Sequence, residues 1–195
     1  TFFTGTRFRL LCSATANLPP PNGAGGIAEG CPPIIPRSEW GVEPTPAPAV
    51  GPVNYVIIHH TATPACSSLS QCKANMKNIY DFHTKTRHYV DIGYNFLIGG
   101  DGSVFEGRGW GVEGAHTLHY NTVGHGFAFI GDFTSARPSS QALASAKALI
   151  ECGVQQGKIQ NTYKLIGHRT VRPTECPGDA LYEQIKTWPH FTRTA

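Results

Sequence analysis

Three residues of metal-binding types are predicted to lie near the ends of two strands. His59 follows the apolar run Tyr55–Ile58, and His168 follows a short strand predicted at 163–166. Cys176 lies eight residues beyond His168, across a loop that contains prolines. Two imidazoles and one thiolate suit Zn²⁺ and leave its fourth tetrahedral position open to water. We therefore predict a catalytic zinc site; a buried or disulfide-bonded Cys176 is the alternative interpretation.

The composition is that of an ordinary folded domain. Of the 195 residues, 40% are hydrophobic and 15% charged, nine are histidines, and the formal net charge is +3. The basic residues are scattered rather than clustered, which argues against nucleic-acid binding. No apolar run approaches the ~20 residues that a membrane span requires. We expect no nucleic-acid partner and no membrane span, and the sequence indicates no particular oligomeric state.

Strands and helices that alternate along the chain are predicted to position these residues. The run Tyr55–Ile58 is typical of a buried strand, and a helix is expected from about Gln71 to Lys85 with Ser70 as its N-cap. The later elements are a hairpin of strands at 94–98 and 103–106, a strand at 126–133, a helix opening at 138–139, a short strand at 163–166 and a last helix after 177–179. This order predicts an α/β domain with a mixed central β-sheet of about five to six strands, flanked by about three helices.

A stretch rich in proline and glycine separates the start of the chain from this domain. Residues 17–36 read NLPPPNGAGGIAEGCPPIIP, in which neither a helix nor a central strand can persist. We therefore expect residues 1–30 to form an N-terminal arm or linker, which could be the remnant of another module, and residues 31–195 to form a single domain.

The cysteine spacing favours disulfide formation. The chain has six cysteines and no CxxC pair, which argues against a zinc ribbon or a thioredoxin-type site. Cys66 and Cys72 bracket a five-residue loop that a disulfide can close. Such a bridge would indicate an oxidising compartment. Two reduced thiols are the alternative.

Several motifs occur in one order over about residues 36–189. They are Tyr55–Thr61, Asp91–Phe96, Gly107–Trp110, Gly114–His116, and Gly167–Arg169 with Pro173–Gly178. This set resembles the peptidoglycan recognition proteins of animals, a family related to the phage and bacterial type 2 N-acetylmuramoyl-L-alanine amidases. The resemblance implies a secreted protein of innate immune defence whose partner is bacterial peptidoglycan and its muropeptides.

The resemblance also assigns catalytic roles. It implies that His59, His168 and Cys176 are the zinc ligands and that Tyr94 is the catalytic tyrosine. Thr174 stands where the phage relatives carry a lysine, and its hydroxyl could orient water or an oxyanion. The implied reaction is hydrolysis of the amide between N-acetylmuramic acid and L-alanine of the stem peptide. The alternative is a recognition protein that binds peptidoglycan without hydrolysis.

A substrate groove and a second disulfide are implied in the same way. Cys31 and Cys152 correspond to a family disulfide, whereas Cys12 has no counterpart. Gly111 and Val112 stand in place of the Asn-Phe pair associated with lysine-type stem peptides. Packing is the alternative role for several of the predicted groove residues, which are His60, Thr61, Arg87, Tyr89, Trp110, Gly111, Val112 and His116.

Overall fold

The computed structural model describes Thr1 and residues 30–195. The predicted arm therefore lies outside the described residues except at its two ends, and Cys12 lies outside them too. The boundary near residue 30 stays a prediction. The described domain begins with a two-residue strand, β1 (Ile34–Ile35), and a one-turn helix, α1 (Arg37–Trp40).

The remaining elements form one mixed sheet and three longer helices, as the sequence predicted. The strands lie in the order β1-β4-β3-β5-β2-β6. β3 and β4 pair antiparallel as the expected hairpin, and the other neighbouring strands pair parallel. In chain order the elements after α1 are β2 (Val53–His60), α2 (Leu69–Asp81), β3 (Phe96–Ile98), β4 (Val104–Glu106), β5 (Gly124–Phe129), α3 (Ser140–Gln155), β6 (Ile159–Gly167) and α4 (Asp179–Ile185).

Each face of the sheet carries its own hydrophobic core. Helices α3 and α4 pack on one face, where Phe127 and Leu149 are fully buried. Helix α2 packs on the other face with Met76 against Leu97 and neighbouring sheet residues. Because side chains alternate between the faces of a strand, His59 projects to the α2 side and His60 to the α3 side.

Several element boundaries differ from the sequence-based expectation. The N-cap of α2 is Ser68, whose hydroxyl accepts from the Gln71 amide, rather than Ser70. Helix α2 ends at Asp81, and a π-helical turn (Phe82–Thr86) replaces its expected last turn. β6 begins four residues before the predicted start, because its exposed polar residues gave no apolar signal.

The edge strand β6 pairs with β2 on one side and with the C-terminal segment on the other. Leu165 forms a parallel bridge with Phe191. The Leu165 amide donates to the His190 carbonyl at 2.9 Å, and the Thr192 amide donates to the Leu165 carbonyl at 3.0 Å. This short pairing covers part of the outer edge of β6.

Two disulfides tie loops to helices, and both expected pairings are confirmed. Cys31–Cys152 joins the start of the described domain to α3, and Cys66–Cys72 joins the loop after β2 to α2. Cys176 is the free cysteine among the described residues. No helix in the described part of the chain is long and apolar enough to cross a bilayer.

Candidate metal centre

His59, His168 and Cys176 meet at the carboxyl ends of two neighbouring parallel strands. β2 and β6 are in register at Ile58 and Gly167, so the next residue of each chain segment, His59 and His168, reaches the same edge of the sheet. The two imidazole rings lie 4.5 Å apart between centroids. One ligand atom from each of the three side chains lies within 4.8 Å of the others.

The spacing of these atoms fits a zinc ion. The Cys176 Sγ atom lies 3.7 Å from Nδ1 of His59. Tetrahedral ligands with Zn–S and Zn–N bonds of about 2.3 and 2.1 Å stand about 3.6 Å apart. Two nitrogens and one sulfur are also a donor set that zinc prefers. The three residues could therefore hold Zn²⁺ with one coordination position left over.

Burial keeps the two histidines neutral. It lowers the pKa of His59 well below its ordinary value, with His116 and His168 adding to the effect. It also lowers the pKa of His168 to about 4. A neutral imidazole offers a lone pair to a metal. Burial raises the pKa of the Cys176 thiol to about 12, an effect that a coordinated cation opposes because it favours the thiolate.

The loop that carries Cys176 is held by hydrogen bonds from residues close to it in the sequence. The Cys176 amide donates to Oγ1 of Thr174 at 3.2 Å. The Arg169 amide donates to the Cys176 carbonyl at 2.9 Å, and the Arg169 guanidinium bonds Asp179 and the Glu175 carbonyl. Thr174 thus helps to orient the cysteine, and it also lines the groove described below.

Tyr94 lies beside the three candidate ligands. It precedes β3 rather than lying in the predicted strand, and its ring is 5.3 Å from the ring of His59. Burial raises the pKa of Tyr94 far above its ordinary value, and Cys176 adds to this shift. The phenol therefore keeps its proton at neutral pH and can donate a hydrogen bond.

The candidate ligands and Tyr94 lie in a groove of about 870 Å³. The groove lies mainly on the α2 side of the sheet and reaches across the carboxyl end of β2, where His60 borders it. The groove could hold an extended ligand, since small-molecule sites commonly occupy ~300–1,000 Å³. Five of the residues predicted to bind substrate line it: His60, Thr61, Arg87, Tyr89 and His116.

The structure does not bring the other three predicted substrate residues into this groove. Trp110 packs on the opposite face of the sheet, with its ring 4.3 Å from that of Phe96 and against Gly153 of α3. Gly111 and Val112 pair instead with residues 49–50. The physical reason is burial: a large apolar ring adjoining the core is more stable there than in a wet groove.

His83 and Asp132 line the groove and were not among the predicted site residues. Nδ1 of His83 accepts from the Gly93 amide at 3.0 Å, and its ring is 5.4 Å from that of Tyr94. Asp132 lies 3.7 Å from Nδ1 of His60. The helical spacing of His83 indicated a core or boundary position, which its burial bears out; its contact with Tyr94 depends on the fold and left no sequence signal.

These features define a class of protein: an α/β domain with a His-His-Cys metal-binding set in a groove at the carboxyl ends of parallel strands. The family model described as N-acetylmuramoyl-L-alanine amidase matches residues 49–179. Peptidoglycan-recognition protein 2 of Holotrichia diomphalia is 48% identical over 169 residues, which cover 86% of this chain and 90% of that protein. The chain therefore belongs to the N-acetylmuramoyl-L-alanine amidase family, and within it to the peptidoglycan recognition proteins.

Other relatives include proteins named for binding and for hydrolysis. The human N-acetylmuramoyl-L-alanine amidase is 44% identical over 171 residues, 85% of this chain but 30% of that longer protein. The structure of bumblebee PGRP-SA superposes with a TM-score of 0.82 at 45% identity and covers 85% of this chain and all of its own. PGRP-LE, with a TM-score of 0.80 at 44% identity, covers 82% of this chain and 96% of its own; it was solved with tracheal cytotoxin, a monomeric diaminopimelic acid-type peptidoglycan.

Proposed function

We propose that this chain is a zinc-dependent N-acetylmuramoyl-L-alanine amidase that binds bacterial peptidoglycan. Its substrate bond is the amide between N-acetylmuramic acid and L-alanine of the stem peptide. The observation that carries the proposal is the joint presence of His59, His168, Cys176 and Tyr94 in one large groove. When bound, zinc would supply Lewis-acid activation of water and of the scissile carbonyl.

Tyr94 is the hydrogen-bond donor for the developing oxyanion. Its phenol is neutral, it adjoins the candidate ligands, and its hydroxyl forms no hydrogen bond with the described residues. A donor held ready in this way acts most strongly where the transition state gains negative charge. Loss of one such donor reduces kcat by about 10²–10³-fold.

The groove walls offer contacts for both halves of a muropeptide. The residues Phe82 and Tyr89 are 46% and 42% exposed, and aromatic rings pack well against sugar rings. The Arg87 guanidinium lies 5.3 Å from the Phe82 ring centre and adds a cation for a stem-peptide carboxylate. His60 and Thr61 border the same edge of the groove, where His60 Nδ1 accepts from the Phe133 amide and Thr61 Oγ1 accepts from the Gly131 amide.

The site of action that we propose is extracellular, in innate defence against bacteria. The two disulfides support this location because such bonds persist in oxidising compartments. The names of the relatives support peptidoglycan as the ligand, and recognition of a bacterial wall polymer is what a defence protein requires.

Mass spectrometry of a defined muramyl pentapeptide tests the proposal. Zinc-loaded protein should release the intact stem peptide, and chelator-stripped protein should not. Tyr94→Phe should slow cleavage about 10²–10³-fold and Cys176→Ser should abolish it, while muropeptide binding, measured by calorimetry, persists in both. An uncut substrate that nevertheless binds zinc-loaded protein would refute hydrolysis and leave peptidoglycan recognition as the function.

A further inference from the structure

The ring of His116 is fixed in place by its surroundings. It packs between two glycines: a Cβ on Gly114 would lie 2.4 Å from Cδ2 of His116, and one on Gly126 would lie 2.5 Å from Cγ. The amides of His116 and Thr117 both donate to Oδ1 of Asn121, at 2.9 and 2.8 Å. The imidazole is therefore held from both sides and through its backbone.

The His116 ring contacts the candidate zinc ligand His59 on the side of the imidazole that faces away from Cys176. Nδ1 of His59 faces Cys176, and Nε2 of His59 lies 3.1 Å from Nδ1 of His116. The hydroxyl of Thr117 lies 3.4 Å from the same Nε2 atom. An imidazole that binds metal through Nδ1 carries its proton on Nε2, and that proton needs an acceptor.

We propose that His116 is a positioning residue of the metal centre, whose Nδ1 accepts the proton of His59 Nε2 and thereby aims Nδ1 of His59 at the ion. The inference rests on the metal site of the proposed function but not on hydrolysis. It replaces the predicted role of His116 as a substrate contact.

The placement of its nitrogens argues against that earlier role. Nδ1 of His116 is occupied by His59 and Thr117. Its Nε2 is buried and makes no hydrogen bond of ordinary geometry with the described residues, and the imidazole also interacts with the backbone of Gly124. Although His116 lines the groove, neither nitrogen is directed at a ligand there, so the side chain has little polar contact to offer a muropeptide.

Two substitutions of nearly equal shape isolate the hydrogen bond. In His116→Asn, Oδ1 can take the place of Nδ1 and accept from His59. In His116→Leu, the shape is similar but the acceptor is lost. Both variants leave the same space beside Gly114 and Gly126, so any packing effect is common to them.

Zinc affinity is the first readout, measured on the metal-stripped 195-residue protein by competition with a chromophoric chelator. His116→Leu should weaken zinc binding about 10–100-fold, and His116→Asn should stay within about threefold of the parent protein. Co²⁺ substitution is the second readout: the ligand-field bands should shift in His116→Leu and be restored in His116→Asn. Circular dichroism checks that both variants are folded.

The two readouts distinguish a positioning role of His116 from a packing role and from a substrate contact. Equal weakening of zinc binding in both variants would show a packing role and overturn the proposal. Unchanged zinc affinity with weaker muropeptide binding would restore the substrate-contact role and overturn it as well. Parent protein that binds no zinc would overturn both proposals. A zinc-binding parent that cleaves nothing, with the expected difference between the variants, would refute hydrolysis and leave the role of His116 standing.

Discussion

Replacing Asp91 by asparagine should destabilise the domain by several kcal/mol. Asp91 forms an ion pair with Arg37 at 2.8 Å, and the two side chains are only 3% and 4% exposed. Its carboxylate also accepts from the amides of Ile92 and Thr45, at 2.6 and 3.1 Å. The pair joins α1 to the segment that leads into Tyr94, so it supports the candidate site from a distance.

The structure sets the size of the effect. The Arg37 guanidinium also donates to the carbonyls of Gly107 and Glu43. The Asp91→Asn substitution would leave that cation buried with neutral acceptors alone, because the introduced amide carries no compensating charge. Removing one partner of a buried ion pair costs about 3–5 kcal/mol. For a domain of this size each kcal/mol lowers Tm by about 2–4 °C, so Tm should fall by roughly 6–20 °C.

Urea and thermal unfolding monitored by circular dichroism would measure the change. The matched control is Glu39→Gln, which breaks the ion pair with Lys73 at 3.1 Å. Since that pair is more exposed, its loss should cost less than about 1 kcal/mol. If Asp91→Asn changed stability no more than the control does, the argument from burial would be refuted.

Three further predictions concern stability. Replacing Cys31 and Cys152 by serine removes a disulfide that joins residues 121 positions apart. This should lower the free energy of unfolding by about 3–5 kcal/mol, measured by urea unfolding against the parent protein. Trp110→Ala should cost at most about 3–5 kcal/mol, because the half-buried ring packs against the core, and should leave muropeptide affinity unchanged in calorimetry; a loss of affinity would contradict its placement away from the groove. Burial lowers the pKa of His125 to about 4, below the ~6.5 of an unfolded chain, so the folded state binds fewer protons and its stability falls as pH drops from 6.5 towards 4. His125→Leu should remove about 3 kcal/mol of that pH dependence, and an unchanged profile would contradict it.

The residues of the candidate metal centre could be proposed from the sequence because their signals are local. The apolar run before His59 predicts a buried strand, and a histidine near the carboxyl end of such a strand lies near the edge of the sheet. The same reasoning places His168 after β6, and residue chemistry selects Cys176 as the third ligand. The sequence did not show that β2 and β6 are neighbouring parallel strands; this pairing is seen only in the structure.

Long-range contacts account for what the sequence did not predict. Trp110 was predicted to be a groove residue because the sequence does not show that its ring packs against Phe96 and α3. Arg37 stands in a proline-rich segment that gave no signal for α1, and its partner Asp91 is 54 residues away. The direction of the nitrogens of His116 depends on a strand far from it in sequence. Side-chain partners of this kind follow from tertiary packing and have no periodic pattern.

The pairing of the C-terminal segment with β6 bears on solubility. An uncovered edge strand presents free amides and carbonyls on which another chain can form a sheet. Here the backbone of Leu165 is already bonded to His190 and Thr192, three residues before the chain reaches His168. Loss of that segment would therefore leave the candidate ligands in place but open the strand that carries one of them to self-association, so concentration-dependent aggregation should precede any loss of metal binding.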